Sequence, residues 1–234
     1  MPSIRSLPRI FLPGADPSGP IDLPKEERDK LSKVLRLHDG EPIAVLPNDG
    51  SLVCCEYRAG RAIPISVEWP GTEPQLHLTL AQALPKGDRL ETVVRMCTEV
   101  GVARFVLFHA DRSIVRWEAA KLAAKLRRYE VIARESAEQS FRCRLPEFEV
   151  LGSLAEVLRR FPDASVLSEL ESVDARLASK GDQMTIVVGP EGGWSPAELE
   201  LIGVRGVTLG PLVLRADTAG LAAAAALLLG YPIQ

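Results

Sequence analysis

The segment VVGPEGGWSPAE, residues 187–198, has the residue types and spacing of a loop that holds a small ligand. It continues the apolar run at residues 184–188, which predicts a buried strand. The glycines of GPEGG carry no Cβ, so main-chain amides and carbonyls can lie directly against a ligand. The chemistry that this segment favours is therefore binding by the backbone at the end of a strand.

The residues after these glycines predict the start of a helix. Ser195 is a suitable cap, Pro196 fits the first helical position, and Glu198 stands three residues after the serine, as in a capping box. A tight turn that needs a positive φ at Gly192 or Gly193 is an alternative explanation of the glycines. For Trp194 we keep three roles open: covering a cofactor pocket, stacking on a base, or packing under the following helix.

A second loop rich in glycine and proline, LGPLVLRADTAG at residues 209–220, follows the next predicted strand. The phosphate-binding pattern G-x-x-x-x-G-K-S/T is absent from the sequence, and G-x-G-x-x-G follows none of the predicted strands. A nucleotide held mainly through its phosphates is therefore disfavoured as the ligand.

From Gln75 onward, predicted strands alternate with predicted helices, which is typical of an α/β fold with a mostly parallel sheet covered on both faces. The strands are LHLTLAQAL, RFVLFHA, ASVLSE, MTIVVG and GVTLG, and the helices cover residues 87–100, 118–138, 153–160, 196–202 and a stretch from about 215. Ligands of such sheets bind at the carboxyl ends of strands, where both glycine-rich loops are expected.

The residues before Gln75 instead predict short strands and one helix, the pattern of a small β-barrel. The strands are RIFL, EPIAVLP, SLVCCEYRA and AIPISVEW, the helix is KEERDKLSKVLRL, and turns are predicted at NDG and AG. WPGTEP at residues 69–74 has the composition of a linker. We therefore predict two domains, residues 1–72 and residues 73–234.

Charge is distributed unevenly along the 234 residues, whose net charge is −3. Residues 104–144 hold ten basic and five acidic side chains, whereas residues 145–234 hold six basic and twelve acidic ones. Residues 1–36 are mildly basic, with seven basic against five acidic side chains. Because clustered basic side chains neutralise nucleic-acid phosphates, two separated segments are candidates for a basic surface.

The composition also excludes several classes of protein. No metal site or disulfide framework is predicted, because no ligand or C-x-x-C spacing is formed by the cysteines at 54, 55, 97 and 143 or the histidines at 38, 77 and 109. The N-terminal sequence MPSIRSLPRIFLPG lacks the layout of a secretion signal, and the alanine-rich tail is too short to cross a bilayer. We expect a cytoplasmic protein without a membrane partner.

Together, GPEGGWSPAE and LGPLVLRADTA resemble the two C-terminal signature loops of the knotted SPOUT-type RNA methyltransferases. Within that group the chain is similar to the RsmE family. Further matches, in family order and over nearly the whole chain, are PRIF, LPKGDRLETVVRMCTEVGV, ADRSIVRW and ARESAEQSFRCRLPE. The ordered set is far more specific than either loop alone.

This resemblance implies an S-adenosylmethionine-dependent methyltransferase that modifies N3 of a uridine, position 1498, in 16S ribosomal RNA of the 30S subunit. It also implies a deep trefoil knot, a PUA-like N-terminal barrel that binds RNA, and a homodimer with the active site at the subunit interface. The cofactor contacts that it implies are Leu167, Ser168, Glu169, Val188, Gly189, Pro190, Glu191, Gly192, Leu209, Gly210, Leu214, Arg215 and Thr218.

RNA contacts are expected from the two basic segments, where they would fix position on the phosphates. The candidates are Arg9, Lys33, Arg36, Arg112, Arg116, Arg134, Gln139, Arg142 and Arg144. For each cation alone, a solvated surface position is the alternative. For catalysis, Arg215 is the candidate that orients the target or stabilises charge on it, and Glu138 is the candidate proton acceptor; a solvated helical carboxylate is the alternative for Glu138.

The chain departs from the family pattern at four positions. The family usually has arginine at Leu212, glutamate at Asp217, lysine at Met96 and glycine at Phe141. Two other functions therefore stay open: an RNA-binding homologue with impaired catalysis, and a SPOUT enzyme that acts on transfer RNA or on a ribose 2′-hydroxyl. Transfer of labelled methyl groups distinguishes the first, and the identity of the modified nucleoside distinguishes the second.

Overall fold

The computed structural model describes residues 4–113, 118–169, 175–179 and 181–230. Within these ranges the chain forms two compact units. The first unit contains the residues up to Glu73 together with the segment Ala137–Leu145. The second unit contains Pro74–Ser136 and the residues from Pro146 onward. A stretch from the middle of the chain therefore belongs to the unit that the N-terminal residues build.

The first unit is built around a mixed five-stranded sheet. Its strands are β1 (Arg9–Phe11), β2 (Ile21–Asp22), β3 (Pro42–Leu46), β4 (Leu52–Arg58) and β5 (Arg61–Glu68). The order is β1-β3-β4-β5-β2, with β1 parallel to β3 and the other neighbours antiparallel. The predicted turns are present, because Asn48, Ala59 and Gly60 have φ values of 71°, 50° and 82°.

The helix predicted at residues 25–37 is divided in two. Helix α1 covers Lys25–Asp29, and a π-helical turn covers Lys30–Val34. The amide of Leu35 reaches the carbonyl of Lys30, five residues earlier, at 3.0 Å. The wider turn buries Leu31 and leaves Val34 exposed.

Apolar packing explains why Ala137–Leu145 belongs to the first unit. Ala137 and Cys143 are buried against the outer side of the sheet formed by β1, β3 and β4. The members of this cluster from the N-terminal part are Leu7, Phe11, Ala44, Leu46 and Leu52. Without the segment, these apolar side chains would face water.

The second unit is an α/β layer structure with an all-parallel sheet, as predicted. Its strands are β6 (His77–Ala83), β7 (Arg104–Phe108), β8 (Glu147–Leu151), β9 (Ser165–Leu167), β10 (Gln183–Val188) and β11 (Gly206–Val207). The order is β11-β9-β10-β6-β7-β8. Strand β8, which was not predicted, is a half-buried edge strand that begins with alternating charged and apolar residues.

Helices cover both faces of this sheet. They are α2 (Arg89–Glu99), α3 (Ala119–Gln139), α4 (Leu154–Arg160), α5 (Pro196–Ile202) and α6 (Ala216–Leu228). Side chains of one strand alternate between two apolar clusters, as Leu80 and Ala81 of β6 illustrate. One cluster packs on α2, α3 and α6, and the other packs on α4 and α5.

The topology creates a crevice at the carboxyl ends of the central strands. From β6 the chain continues to β7 on one side, whereas from β10 it returns past β9 to β11 on the other side. Such a change of direction leaves an opening between the loops that follow the strands. Among the described helices, none has the length and apolarity that a membrane span requires.

Candidate active site

A cavity of about 980 Å³ lies at the carboxyl ends of β9, β10 and β11 in the second unit. Eleven of the predicted cofactor contacts line it: Leu167, Ser168, Glu169, Val188, Gly189, Pro190, Glu191, Leu209, Gly210, Leu214 and Arg215. Gly192 and Thr218 are not among the lining residues. The two glycine-rich loops that the sequence singled out therefore meet around one opening.

The glycine-rich loop after β10 is held by its tryptophan. Trp194 is buried, stacks on Phe108 with 6.5 Å between ring centroids, and donates from Nε1 to the Leu167 carbonyl at 3.0 Å. A Cβ added at Gly189 would lie 2.9 Å from Cε2 of this ring. Gly189 is therefore required by the close approach of the indole, and Trp194 both packs in the apolar cluster and lines the cavity.

The predicted helix start after the loop is present in full. Ser195 accepts from the Glu198 amide, and the Glu198 carboxylate accepts from the Ser195 amide. Gly193 has a φ of 69°, and its amide donates to the carbonyl of Pro190 at 2.9 Å. The turn proposed as an alternative thus exists at Gly193, and it coexists with the placement of the loop on the cavity.

The second loop is folded by a threonine and by the start of α6. The Gly210 amide donates to Oγ1 of Thr208 at 3.1 Å, and Gly210 has a φ of 141°. Arg215 is the residue that precedes α6, and its carbonyl accepts from the amides of Thr218 and Ala219. Arg215 is exposed and lines the cavity, which places a guanidinium at its wall.

Three further cations line the cavity, and the site-residue predictions did not include them. Lys86 and Arg89 follow β6, and Arg176 lies in the segment before β10. Glu191 connects two of them to the glycine-rich loop, since its Oε1 accepts from the Lys86 amide at 3.2 Å and lies 3.6 Å from Nη1 of Arg89. The signal available in the sequence was that LPKGD follows a predicted strand of the parallel sheet, at whose carboxyl end ligands bind.

The predicted RNA contacts are divided between the two units. Lys33, Arg36, Gln139 and Arg144 are exposed residues of the first unit. Lys33 pairs with Asp29 at 3.0 Å, and Arg144 donates to the carbonyl of Asp49. Arg134 is half-buried in α3 of the second unit, and Arg116 lies outside the described residues.

Two predicted RNA contacts of the first unit are buried. Arg142 is 4% exposed and forms an ion pair with Glu73 at 2.9 Å. The guanidinium of Arg9 lies 4.4 Å above the centre of the Phe141 ring, and its Nη2 donates to the carbonyl of Ile4. Burial lowers the pKa of Arg9 from its ordinary value.

Glu138, the candidate proton acceptor, lies in the first unit. Its side chain is only 12% exposed, and Oε2 is 2.6 Å from Nζ of Lys30. Its other oxygen accepts from the Phe11 amide at 3.4 Å. These bonds connect the end of α3 with β1 and with the π-helical turn, so the carboxylate has a structural role there.

The departures from the family pattern have visible surroundings. Phe141 has a φ of 64°, a conformation that glycine adopts without strain, and its ring supports Arg9. Leu212 is 78% exposed at the wall of the cavity. Met96 is half-buried in α2, and the neighbouring Arg95 is exposed.

Comparisons with known proteins agree with this geometry. Residues 72–228 match the model of the RNA methyltransferase domain family. The chain is 34% identical over 222 residues to a ribosomal RNA small subunit methyltransferase E of Bacillus subtilis, covering 86% of this chain and 87% of that protein. A protein of the same name from Mycobacterium bovis is 31% identical, over 83% of this chain and 80% of its own length.

Solved structures give the same result. A ribosomal RNA small subunit methyltransferase E from Neisseria gonorrhoeae, bound to S-adenosyl methionine, superposes with a TM-score of 0.84 at 28% identity, covering 94% of this chain and 96% of that one. A methyltransferase from Legionella pneumophila in complex with the same cofactor has a TM-score of 0.85 at 26% identity, with the same coverage.

Proposed function

The chain belongs to the ribosomal RNA small subunit methyltransferase E family of RNA methyltransferases, and from this premise we propose that it methylates N3 of a uridine in 16S ribosomal RNA with S-adenosylmethionine. The observation that carries the proposal is the cavity at which three strand ends and two glycine-rich loops meet. Two similar proteins support the same assignment, because their solved structures contain S-adenosyl methionine and superpose over nearly the whole chain.

The residues around the cavity fit S-adenosylmethionine in size and polarity. Its volume lies at the upper end of the range of small-molecule sites, ~300–1,000 Å³. Apolar strand ends such as Leu167 and Val188 suit the adenine ring, while main-chain groups of the two loops supply polar partners. The carboxylates of Glu169 and Glu191 suit hydroxyl or ammonium groups. We assign cofactor binding to the eleven predicted residues that line the cavity, and Gly192 and Thr218 stay predictions.

The bound cofactor supplies a methyl group activated by a positively charged sulfur. The protein must hold uridine N3 in line with that methyl group, and such alignment lowers a barrier by ~7–11 kcal/mol in favourable cases. The N3–C bond forms as the S–C bond breaks, and the N3 proton passes to solvent. Arg215, at the cavity wall, would stabilise the negative charge that develops on O2 or O4 of the uracil.

We include the trefoil knot in this proposal. In the order β11-β9-β10, the chain runs from β10 back past β9 to add β11 on the far side of β9. The amide of Thr208 donates to the carbonyl of Ala175, and the amide of Leu177 donates to the carbonyl of Thr208. These bonds place the strand end of β11 beside the segment that precedes β10, which supports a threaded arrangement of the cofactor loops.

The remaining parts concern RNA and assembly. We propose that the first unit is a PUA-like RNA-binding domain and that Lys33, Arg36, Gln139 and Arg144, exposed on it, contact phosphates.

The exposed pair Leu212 and Val213, 78% and 72% accessible at the cavity, supports a homodimer in which a second subunit covers this wall. A 30S subunit as substrate would place the reaction in the cytoplasm.

The proposal is tested with 30S subunits from cells that lack this methylation, incubated with methyl-labelled S-adenosylmethionine. We expect label in 16S ribosomal RNA and N3-methyluridine on mass spectrometry of the digested RNA. Cofactor binding without transfer would identify an RNA-binding homologue with impaired catalysis. A 2′-O-methylated nucleoside, or label in transfer RNA alone, would identify a different target.

A further inference from the structure

The loop that follows β7 is bound to the glycine-rich loop that follows β10, although about eighty residues separate them in sequence. Nη1 of Arg112 donates to the carbonyl of Gly192 at 3.0 Å. Oγ of Ser195 donates to Oδ2 of Asp111 at 2.5 Å. The Asp111 amide donates to Oε1 of Glu198 at 3.0 Å. Two adjacent residues thus hold the loop at its middle and at its end.

The approach of the two loops explains the glycine at position 192. A Cβ added there would lie 3.2 Å from Cβ of Arg112 and 3.6 Å from its carbonyl oxygen. The φ of Gly192 is not positive, so its backbone conformation does not require glycine, whereas Gly193 has a φ of 69°. Its carbonyl accepts from Arg112, and Gly192 does not line the cavity.

The anchor of this connection is a buried carboxylate. Glu198 is 4% exposed, and its two oxygens accept from the amides of Asp111 and Ser195 at 3.0 Å and 2.9 Å. The holding loop is itself a closed turn, since the Ser113 amide donates to the carbonyl of Ala110 at 2.9 Å. Because the turn at Ala110–Ser113 and the glycine-rich loop are both bonded to the buried Glu198 carboxylate, the turn can hold that loop in one geometry.

We infer that Asp111 and Arg112 are positioning residues for the methyl donor: they hold the glycine-rich loop, residues 189–195, in the conformation that binds it. This inference rests on the proposed function. It gives Arg112, which the charge pattern marks as an RNA contact, a different task. The guanidinium acts through the Gly192 carbonyl, so its loss changes affinity for the cofactor and leaves affinity for RNA.

The variants Arg112→Ala, Arg112→Lys and Asp111→Ala test this role, with Arg127→Ala as the matched control because Arg127 is an exposed cation of the same unit. Calorimetry gives the Kd for S-adenosylmethionine, and initial rates give separate KM values for the cofactor and for 30S subunits. We expect Kd and cofactor KM to rise about tenfold in Arg112→Ala and Asp111→Ala, as for loss of one charge-assisted hydrogen bond. Arg112→Lys should recover part of the loss, and the KM for subunits should stay unchanged.

An unchanged cofactor Kd in Arg112→Ala, with a higher KM for subunits and a weaker salt dependence, would overturn the inference and make Arg112 a phosphate contact. Circular dichroism shows whether each variant is folded; if Arg112→Ala is not, Arg112→Lys and Asp111→Ala decide by the same KM comparison. Failure of the unaltered protein to bind S-adenosylmethionine would instead overturn the proposed function, and this inference with it.

Discussion

Trp194 and Leu167 are joined by a hydrogen bond from the indole Nε1 to the main-chain oxygen, at 3.0 Å. Leu167 ends β9, and Trp194 lies in the loop after β10. Since both strand ends line the cavity, the indole fixes the distance between two parts of its wall. The Trp194 side chain lines the cavity and holds this part of the wall by packing and by one buried hydrogen bond.

The variant Trp194→Phe should remove this bond while keeping an aromatic ring against Phe108. The Leu167 carbonyl would lose its partner in a buried position, so we expect the free energy of unfolding to fall by ~1–3 kcal/mol. We also expect a higher Kd for S-adenosylmethionine. Urea unfolding and calorimetry measure the two effects. The control Trp69→Phe changes a tryptophan that is 69% exposed and should alter neither quantity.

The variant Gly189→Ala should weaken cofactor binding more strongly. The new methyl group would lie 2.9 Å and 3.0 Å from Cε2 and Cζ2 of Trp194, and the ring is held in place by Phe108 and Leu167. The loop must therefore shift at the cavity wall. Calorimetry should show a cofactor Kd raised by at least about tenfold. Gly19→Ala, where no atom lies within 4 Å of the added Cβ, is the control, and equal affinity in both variants would contradict the argument.

The variant Glu138→Gln separates a structural carboxylate from a proton acceptor. It weakens the partly buried pair with Lys30, so we expect the free energy of unfolding to fall by about 1 kcal/mol. The kcat for methyl transfer and its pH profile should stay as they are. The control Glu135→Gln changes an exposed carboxylate one turn earlier on α3. A large fall in kcat for Glu138→Gln alone would instead support the predicted role as proton acceptor.

Arg215 should matter for the rate more than for cofactor affinity. If its guanidinium stabilises the uracil anion, Arg215→Ala lowers kcat by ~10²-fold or more, the usual cost of losing one such donor. Arg215→Lys keeps the charge and should recover part of the rate. Single-turnover rates measure the methyl-transfer step, and calorimetry measures the Kd for S-adenosylmethionine. A variant that loses cofactor binding but keeps kcat at saturation would refute the charge-stabilising role.

Alkaline pH should destabilise the protein through its buried thiols. Burial raises the pKa of Cys97 and of Cys55 from 9.0 to about 12. The folded state therefore keeps these thiols protonated where the unfolded chain releases the protons. This stability is present below pH 9 and is lost as the pH rises towards 12, with a slope of up to ~1.4 kcal/mol per pH unit for each thiol. Urea unfolding between pH 9 and 12 measures the free energy of unfolding, which should fall less steeply with pH in Cys97→Ala than in the unaltered protein. Cys54→Ala is the control, because Cys54 is only half-buried.

The local parts of the site were readable from the sequence. The capping box at Ser195 and Glu198 needs residues only three apart, and the glycines of GPEGG follow a strand whose apolar run is unambiguous. The alternation of strands and helices predicted the parallel sheet. The missed strand β8 lacks such a run, because its charged residues at 147 and 149 resemble a loop.

Contacts between distant segments could not be read in this way. Arg112 reaches Gly192 across eighty positions, and Lys86 reaches Glu191 across more than one hundred. Clustering of positive charge marked Arg142 as an RNA contact, yet the fold buries it against Glu73. The composition of a segment gives the number of its basic and acidic side chains, and only packing decides which cations remain available to a ligand.

The segment Ala137–Leu145 determines which fragments of this chain can fold on their own. A fragment that stops at Glu73 would lack Ala137 and Cys143 from its apolar cluster and would lose the partners of Glu73 itself. The first unit therefore cannot be isolated by one cut in the chain, and it cannot be transferred to another protein as one continuous segment. A chimaera that exchanges the first unit for that of a relative must therefore exchange the residues up to Glu73 and Ala137–Leu145 together.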